Sequence, residues 1–226
     1  MRVVVVCLLF LASVATASAQ EGSVERTCPI DGNRFRYQPP PPLTSRETYL
    51  DQRPVDPNYP WPHAKCPGNG FVLYKSGFTE AELGNLREFV RSDQYRQLVD
   101  SHSTHYLEAL LRKHLGESPY AVAWSLVQAS WQAAGDPARY KQYAGEALAT
   151  YDAIPLSALT DIRHRILKRM LSAELARRLG LFESARDRLL AMRDDGEFST
   201  KFLQRIVEFQ LKLVRAKDTG NHRIPY

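Results

Sequence analysis

Two copies of one short motif carry the most chemistry in this chain: Cys28-Pro29-Ile30-Asp31-Gly32 and Cys66-Pro67-Gly68-Asn69-Gly70. Each reads as half of a metal knuckle, Cys-Pro-x-x-Gly. Where a zinc ribbon would place its second cysteine, the first copy has Asp31 and the second has Asn69. A structural zinc site takes four deprotonated nitrogen or sulfur ligands in a tetrahedron, and two thiolates, a carboxylate and a neutral amide are a poor set. His63 improves it, because His63-Ala64-Lys65-Cys66 has ligand spacing. Cys28, Asp31, His63 and Cys66 therefore form a candidate mixed zinc site. The competing chemistry is a disulfide between Cys28 and Cys66. It would close a loop of about 39 residues and contribute about 3–4 kcal/mol on the chain-entropy view of cross-links. Ligand softness and an oxidising compartment favour the disulfide.

A second candidate lies at His102-Ser103-Thr104-His105, with Glu108 three residues further on. On a helix all three can share a face, which allows a surface metal site or an acid–base pair. The glutamate general base of a His-Glu-x-x-His helix is missing, so the plainer reading is a pair of solvated or cap-packing histidines. Trp124, Trp131, Tyr140, Tyr143 and Tyr151 could line a groove for a peptide or glycan. Trp124 and Trp131 lie seven residues apart and so on one helix face, and burial between helical layers is the stronger reading. Arg163, Arg165, Lys168, Arg169, Arg177 and Arg178 load one helix with positive charge. They read as a solvated face partnered by acids such as Asp161 and Glu174, or as a docking face for anionic polymers. Nucleophile elbow, Walker loop and dinucleotide glycine patterns are absent. Gly116-Glu117-Ser118 lacks the second glycine of an elbow and fits helix capping instead.

The compartment decides much of this. Arg2, the apolar run Val3–Val14 and the small-x-small Ala17-Ser18-Ala19 make an export signal cleaved near Ala19. The run is shorter than the roughly 20 residues a membrane span needs. Cys7 lies inside it without the small preceding residue of a lipidation site, and leaves with it. The exported chain then holds two cysteines, Cys28 and Cys66, in oxidising surroundings where lone cysteines pair. It carries 29 basic and 25 acidic residues, a mild +4 with signs interspersed. That is not the concentrated basic footprint of a nucleic-acid binder, and no later segment suggests a membrane span.

The elements that must position these groups fall into two stretches. Residues 20–78 are rich in proline, with a run at Pro39-Pro40-Pro41-Pro42, so long helices are excluded there. Short extended pieces are expected at Arg34–Tyr37 and Gly70–Tyr74, each following a Cys-Pro turn, which is the layout of a small ribbon. From residue 79 to 216 the chain reads as helical. Thr79-x-x-Glu82 is a capping box, Ser118-Pro119 and Asp136-Pro137 are start signals, and apolar spacing predicts about seven helices. One of these is expected to run unbroken from about Asp93 to Gly116. Residues 217–226 read as a loose tail.

Gly135 and Gly180 each sit at a tight turn between paired helices, with Ala147-Leu148 and Ala185 following at contact spacing. This is the logic of a tetratricopeptide hairpin with irregular spacing. Together with Glu174–Ala185 and the two Cys-Pro motifs, these residues resemble a bacterial family of unknown function that pairs Cys-Pro-x-Cys knuckles with a tetratricopeptide-like helical region. The resemblance spans roughly Thr27 to Met192 and implies a mainly α fold and an ancestral zinc site, without an activity. The expectation is thus a mainly α, tetratricopeptide-like protein with a small ribbon-like N-terminal segment. It would be exported, non-enzymatic and cofactor-free, and would bind protein or peptide as a scaffold. The alternative is a metal-binding protein or metal-dependent enzyme using zinc at the knuckles.

Overall fold

The computed structural model describes residues 22–225 apart from Pro57. The expected signal, Cys7 and the cleavage site lie outside the described residues. The two knuckles fold alike, position for position. In the first, Cys28 N donates to the Asn33 carbonyl at 2.8 Å and Gly32 N to the Cys28 carbonyl at 2.9 Å. In the second, Cys66 N donates to the Phe71 carbonyl at 2.8 Å and Gly70 N to the Cys66 carbonyl at 3.0 Å. Asp31 and Asn69 occupy equivalent places and do the same work. The Asp31 carboxylate accepts from Asn33 N at 3.0 Å, and the Asn69 side-chain oxygen accepts from Phe71 N at 2.8 Å. Both are Asx turns, in which a short polar side chain satisfies the backbone two residues on. Gly32 and Gly70 follow at φ +76° and +72°, the left-handed region that favours glycine. A side chain at Gly70 would also strike Val99, with its Cβ 2.4 Å from Cγ1.

The turns place the cysteines together. Cys28 and Cys66 form a disulfide, with Cα atoms 5.7 Å apart and a sequence separation of 38. Both are buried in a core shared with Ile30, Phe71, Val72, Leu83, Leu86, Val90, Tyr95, Leu107 and Leu111. The sulfurs are bonded to one another, so no pair of thiolates is left for the mixed zinc site expected at Cys28, Asp31, His63 and Cys66. The other two members go elsewhere: Asp31 accepts from the Asn69 amide at 2.8 Å, and His63 pairs with Glu108 at 2.8 Å.

Strand β1 (Val24–Thr27) pairs antiparallel with β2 (Arg34–Tyr37) across the first knuckle. The second knuckle carries only the bridge Lys65–Val72. The extended piece expected at Gly70–Tyr74 does not become a strand. Phe71 and Val72, adjacent in sequence, are both fully buried, so the alternation of a half-buried strand is lost there.

Eight α-helices follow: α1 (Glu80–Arg91), α2 (Asp93–Val99), α3 (Thr104–His114), α4 (Pro119–Gln132), α5 (Pro137–Asp152), α6 (Ile162–Arg178), α7 (Phe182–Arg193) and α8 (Lys201–Arg215). The capping box at Thr79 is complete, and Ser118, Asp136 and Asp161 each cap a helix through their side chains. The helix expected from Asp93 to Gly116 is broken in two. Asp100, Ser101 and Ser103 have side chains that compete with helical backbone bonding, and Ser103 Oγ accepts from Tyr106 N at 3.4 Å to start α3. Consecutive helices from α3 to α8 pack as neighbours. Their core contains Val127, Ala144, Tyr151, Leu171, Leu175 and Leu189, all fully buried.

Residues 218–224, expected as part of a loose tail, are held by the rest of the chain. Arg177, fully buried on α6, binds Glu174 at 2.6 Å and the Asp218 and Gly220 carbonyls. Ile224 N donates to the Thr48 carbonyl at 2.9 Å, and Leu50 N to the His222 carbonyl at 2.8 Å. Arg178 binds Asp51 at 2.7 Å. The C-terminal segment is thereby fastened between α6 and the Tyr49–Asp51 turn.

The disulfide closes a long loop across a shared core. Replacing both cysteines (Cys28→Ser with Cys66→Ser) is expected to lower the unfolding free energy by about 3–4 kcal/mol. Urea denaturation checks this, and an unchanged midpoint would show that the knuckles hold together without the bond.

Candidate functional site

Helix α3 presents His105, Glu108 and Arg112 along one face, at the i, i+3 and i+7 spacing that stacks side chains. The irregular segment before Cys66 brings His63 against them. His63 N donates to Thr104 Oγ1 at 3.0 Å, which fixes the segment to the first residue of α3. Gln132 of α4 steadies the other side, accepting from His105 N at 3.2 Å.

Glu108 stands at the centre with a side chain only 4% exposed. Its Oε2 accepts from His63 Nε2 at 2.8 Å and from His105 Nδ1 at 3.0 Å. Its Oε1 accepts from Arg112 Nε at 2.8 Å. An ionised carboxylate is acceptor only, so both facing imidazole nitrogens carry the proton. The two rings meet edge to face with centroids 4.3 Å apart. Burial opposes the charge on Glu108, but the hydrogen bonds from His105 and His63 outweigh it and hold the carboxyl far below the usual range. Burial also pushes His105 down, with its bond to Glu108 acting against the shift. Arg112 continues outward to Glu117, which accepts from the Tyr74 hydroxyl at 2.8 Å.

A second feature is an open groove of about 560 Å³ between α3, α4 and α5. Ala109, Leu110, Val122 and Leu126 supply its apolar lining, Ala149 and Thr150 line the α5 side, and Lys113, Glu117 and Glu146 bring charge to it. Glu146 accepts from Tyr106 Oη at 3.2 Å and from Gln142 at 3.0 Å, and forms no ion pair among the described residues. Burial and the charge of Glu146 push the Tyr106 hydroxyl up to about 12, which keeps it a donor.

Of the residues singled out by sequence, His105 and Glu108 meet, but their third member is His63 and not His102. His102 instead bonds the Tyr143 hydroxyl at 2.9 Å and stacks on Tyr106 with centroids 4.3 Å apart. No local signal pairs His63 with Glu108, which lies 45 residues away. The aromatic set is core: Trp131, Tyr143 and Tyr151 are buried, and Trp124 and Tyr140 pack against them. The basic helix is largely neutralised. Arg163, Arg165, Arg169, Arg177 and Arg178 each have an acidic partner within 2.7 Å, and Lys168 is buried.

Comparisons with family models, curated proteins and solved structures find no match to this chain.

The acid response of the site follows from the two shifts. Unfolded, Glu108 takes a proton near pH 4.3, whereas the folded carboxyl resists it to much lower pH. Its stabilisation is complete above about pH 4.3 and is lost as pH falls below that. His105 acts in the same sense, because the unfolded ring protonates near pH 6.5 and the buried ring resists. Stability is expected to fall in two stages between pH 7 and pH 3. Glu108→Gln should cost about 2–3 kcal/mol at pH 7 and flatten the lower stage. Urea melts across pH test this, and a Glu108→Gln deficit that does not change with pH would contradict it.

Proposed function

We propose that this chain is an exported, non-enzymatic binding or scaffold module. Its groove between α3, α4 and α5 takes an apolar peptide segment of a partner protein, with a lysine or arginine set opposite Glu146. The observation that carries this reading is the pairing of an open apolar lining with a carboxylate that forms no ion pair among the described residues. An apolar groove supplies affinity, and the unbalanced charge supplies register and selects the sign of the partner. Neutralisation of the basic helix supports a protein or peptide partner over an anionic polymer such as nucleic acid. Export is supported by the predicted leader and by the Cys28–Cys66 disulfide, which persists in an oxidising compartment. No helix among the described residues is long and apolar enough to cross a membrane. The tetratricopeptide-like hairpin arrangement suits the same role, since paired helices build concave contact surfaces.

The reading is tested by panning a displayed random-peptide library against the exported form. Enriched peptides should combine large apolar side chains with a lysine or arginine. Ala149→Trp fills the groove from an exposed position and should weaken their binding at least tenfold, or more than about 1.4 kcal/mol. Glu146→Gln should weaken it several-fold. No enriched family, or binding indifferent to Ala149→Trp, would overturn the proposal.

A further inference from the structure

The chemistry that the knuckles have given up is present elsewhere in the molecule. His63 Nε2, His105 Nδ1 and a Glu108 carboxylate oxygen all lie within 4.8 Å of one another. We propose that these three atoms form a binding site for a zinc-class divalent cation, separate from the Cys-Pro knuckles and from the groove.

Four features support it. First, two imidazoles and one carboxylate are a donor set that zinc accepts while keeping a further position open. Second, the carboxylate is oriented in advance. Arg112 occupies Oε1, leaving Oε2 as the single oxygen that faces both rings. Such support from beyond the ligands sets both geometry and affinity in metal sites. Third, the backbone that carries both rings is held in place: His63 N donates to Thr104 Oγ1 at 3.0 Å and His105 N to the Gln132 side-chain oxygen at 3.2 Å. Fourth, there is a way in. Glu108 is buried, but the His63 side chain is 28% exposed, so the open position faces solvent through His63.

The required movement is small. Ligand atoms each about 2.1 Å from a tetrahedral zinc lie about 3.4 Å apart. The two imidazole–carboxylate contacts are now 2.8 and 3.0 Å, because protons and not a metal bridge them. Each ring must withdraw by about 0.5 Å and move its proton to its other nitrogen. His63 sits on irregular backbone, where such a shift is easily absorbed.

The test is calorimetric titration of the exported, disulfide-intact protein with zinc chloride, together with cobalt(II) absorption. One zinc per chain is expected. Cobalt should show d–d bands without a thiolate charge-transfer band, which separates this site from the knuckles. His63→Ala should weaken zinc binding at least tenfold. His63→Gln, whose amide still reaches Glu108 and holds the segment in place, should do the same. His102→Ala, three residues from His105 but outside the cluster, should bind as the parent does. No zinc uptake, a thiolate band, or uptake indifferent to both His63 variants would overturn the proposal.

Discussion

A buried carboxylate is tolerated only when its charge is met, and in this protein that requirement falls on Glu108. Removing a charged group from water costs several kcal/mol, and the cost is recovered only through well-placed partners. Glu108 gathers them from two parts of the chain: His105 and Arg112 from its own helix, His63 from the irregular segment before the second knuckle. The charge then continues outward. Arg112 reaches Glu117, Lys75 lies between Glu117 and Glu82, and Glu82 closes the capping box that starts α1. One network thus runs from the buried face of α3 to the first turn of α1, and the Cys-containing segment is fastened along it.

The knuckles supply the opposite clamp. Their two turns share one backbone hydrogen-bond pattern, and in each a short polar side chain ties its own turn. Asp31 and Asn69 satisfy the amides two residues on and then bond each other across the pair. The disulfide takes over the task of holding the two turns together. With their thiols joined, the knuckles offer no thiolate pair, while the imidazole and carboxylate cluster lies where His63 meets α3. A third fastening, Arg177 with Glu174 and the Asp218 and Gly220 carbonyls, secures the C-terminal residues in the same way, by meeting a buried charge.

Local signals made much of this legible in the sequence. Arg34–Tyr37 is extended as its position after the first Cys-Pro turn suggested, and Thr79, Ser118 and Asp136 start helices because their side chains accept from the first free amides. The pairing of Cys28 with Cys66 followed from counting the thiols that remain when Cys7 is assigned to an export signal. What the sequence left hidden depends on contacts far apart along the chain. His63 lies 45 residues from Glu108 and on another part of the chain, so the helical spacing of His102, His105 and Glu108 suggested the wrong third member. The C-terminal residues looked loose because their partners, Arg177 and Thr48, carry no mark of that role. The break at Asp100–Ser103 was readable in its composition, but an apolar stripe running from Tyr95 to Leu111 masked it.

The account turns on Glu108 being an ionised carboxylate that receives a proton-bearing nitrogen from each of two imidazoles. Long-range nitrogen–proton correlation spectra of the ¹⁵N-histidine-labelled, metal-free protein at neutral pH test this directly. The account predicts the proton on Nε2 of His63 and on Nδ1 of His105, with both patterns lost when Glu108 is replaced by alanine. Bare nitrogens at those two positions, or tautomers indifferent to residue 108, would contradict it.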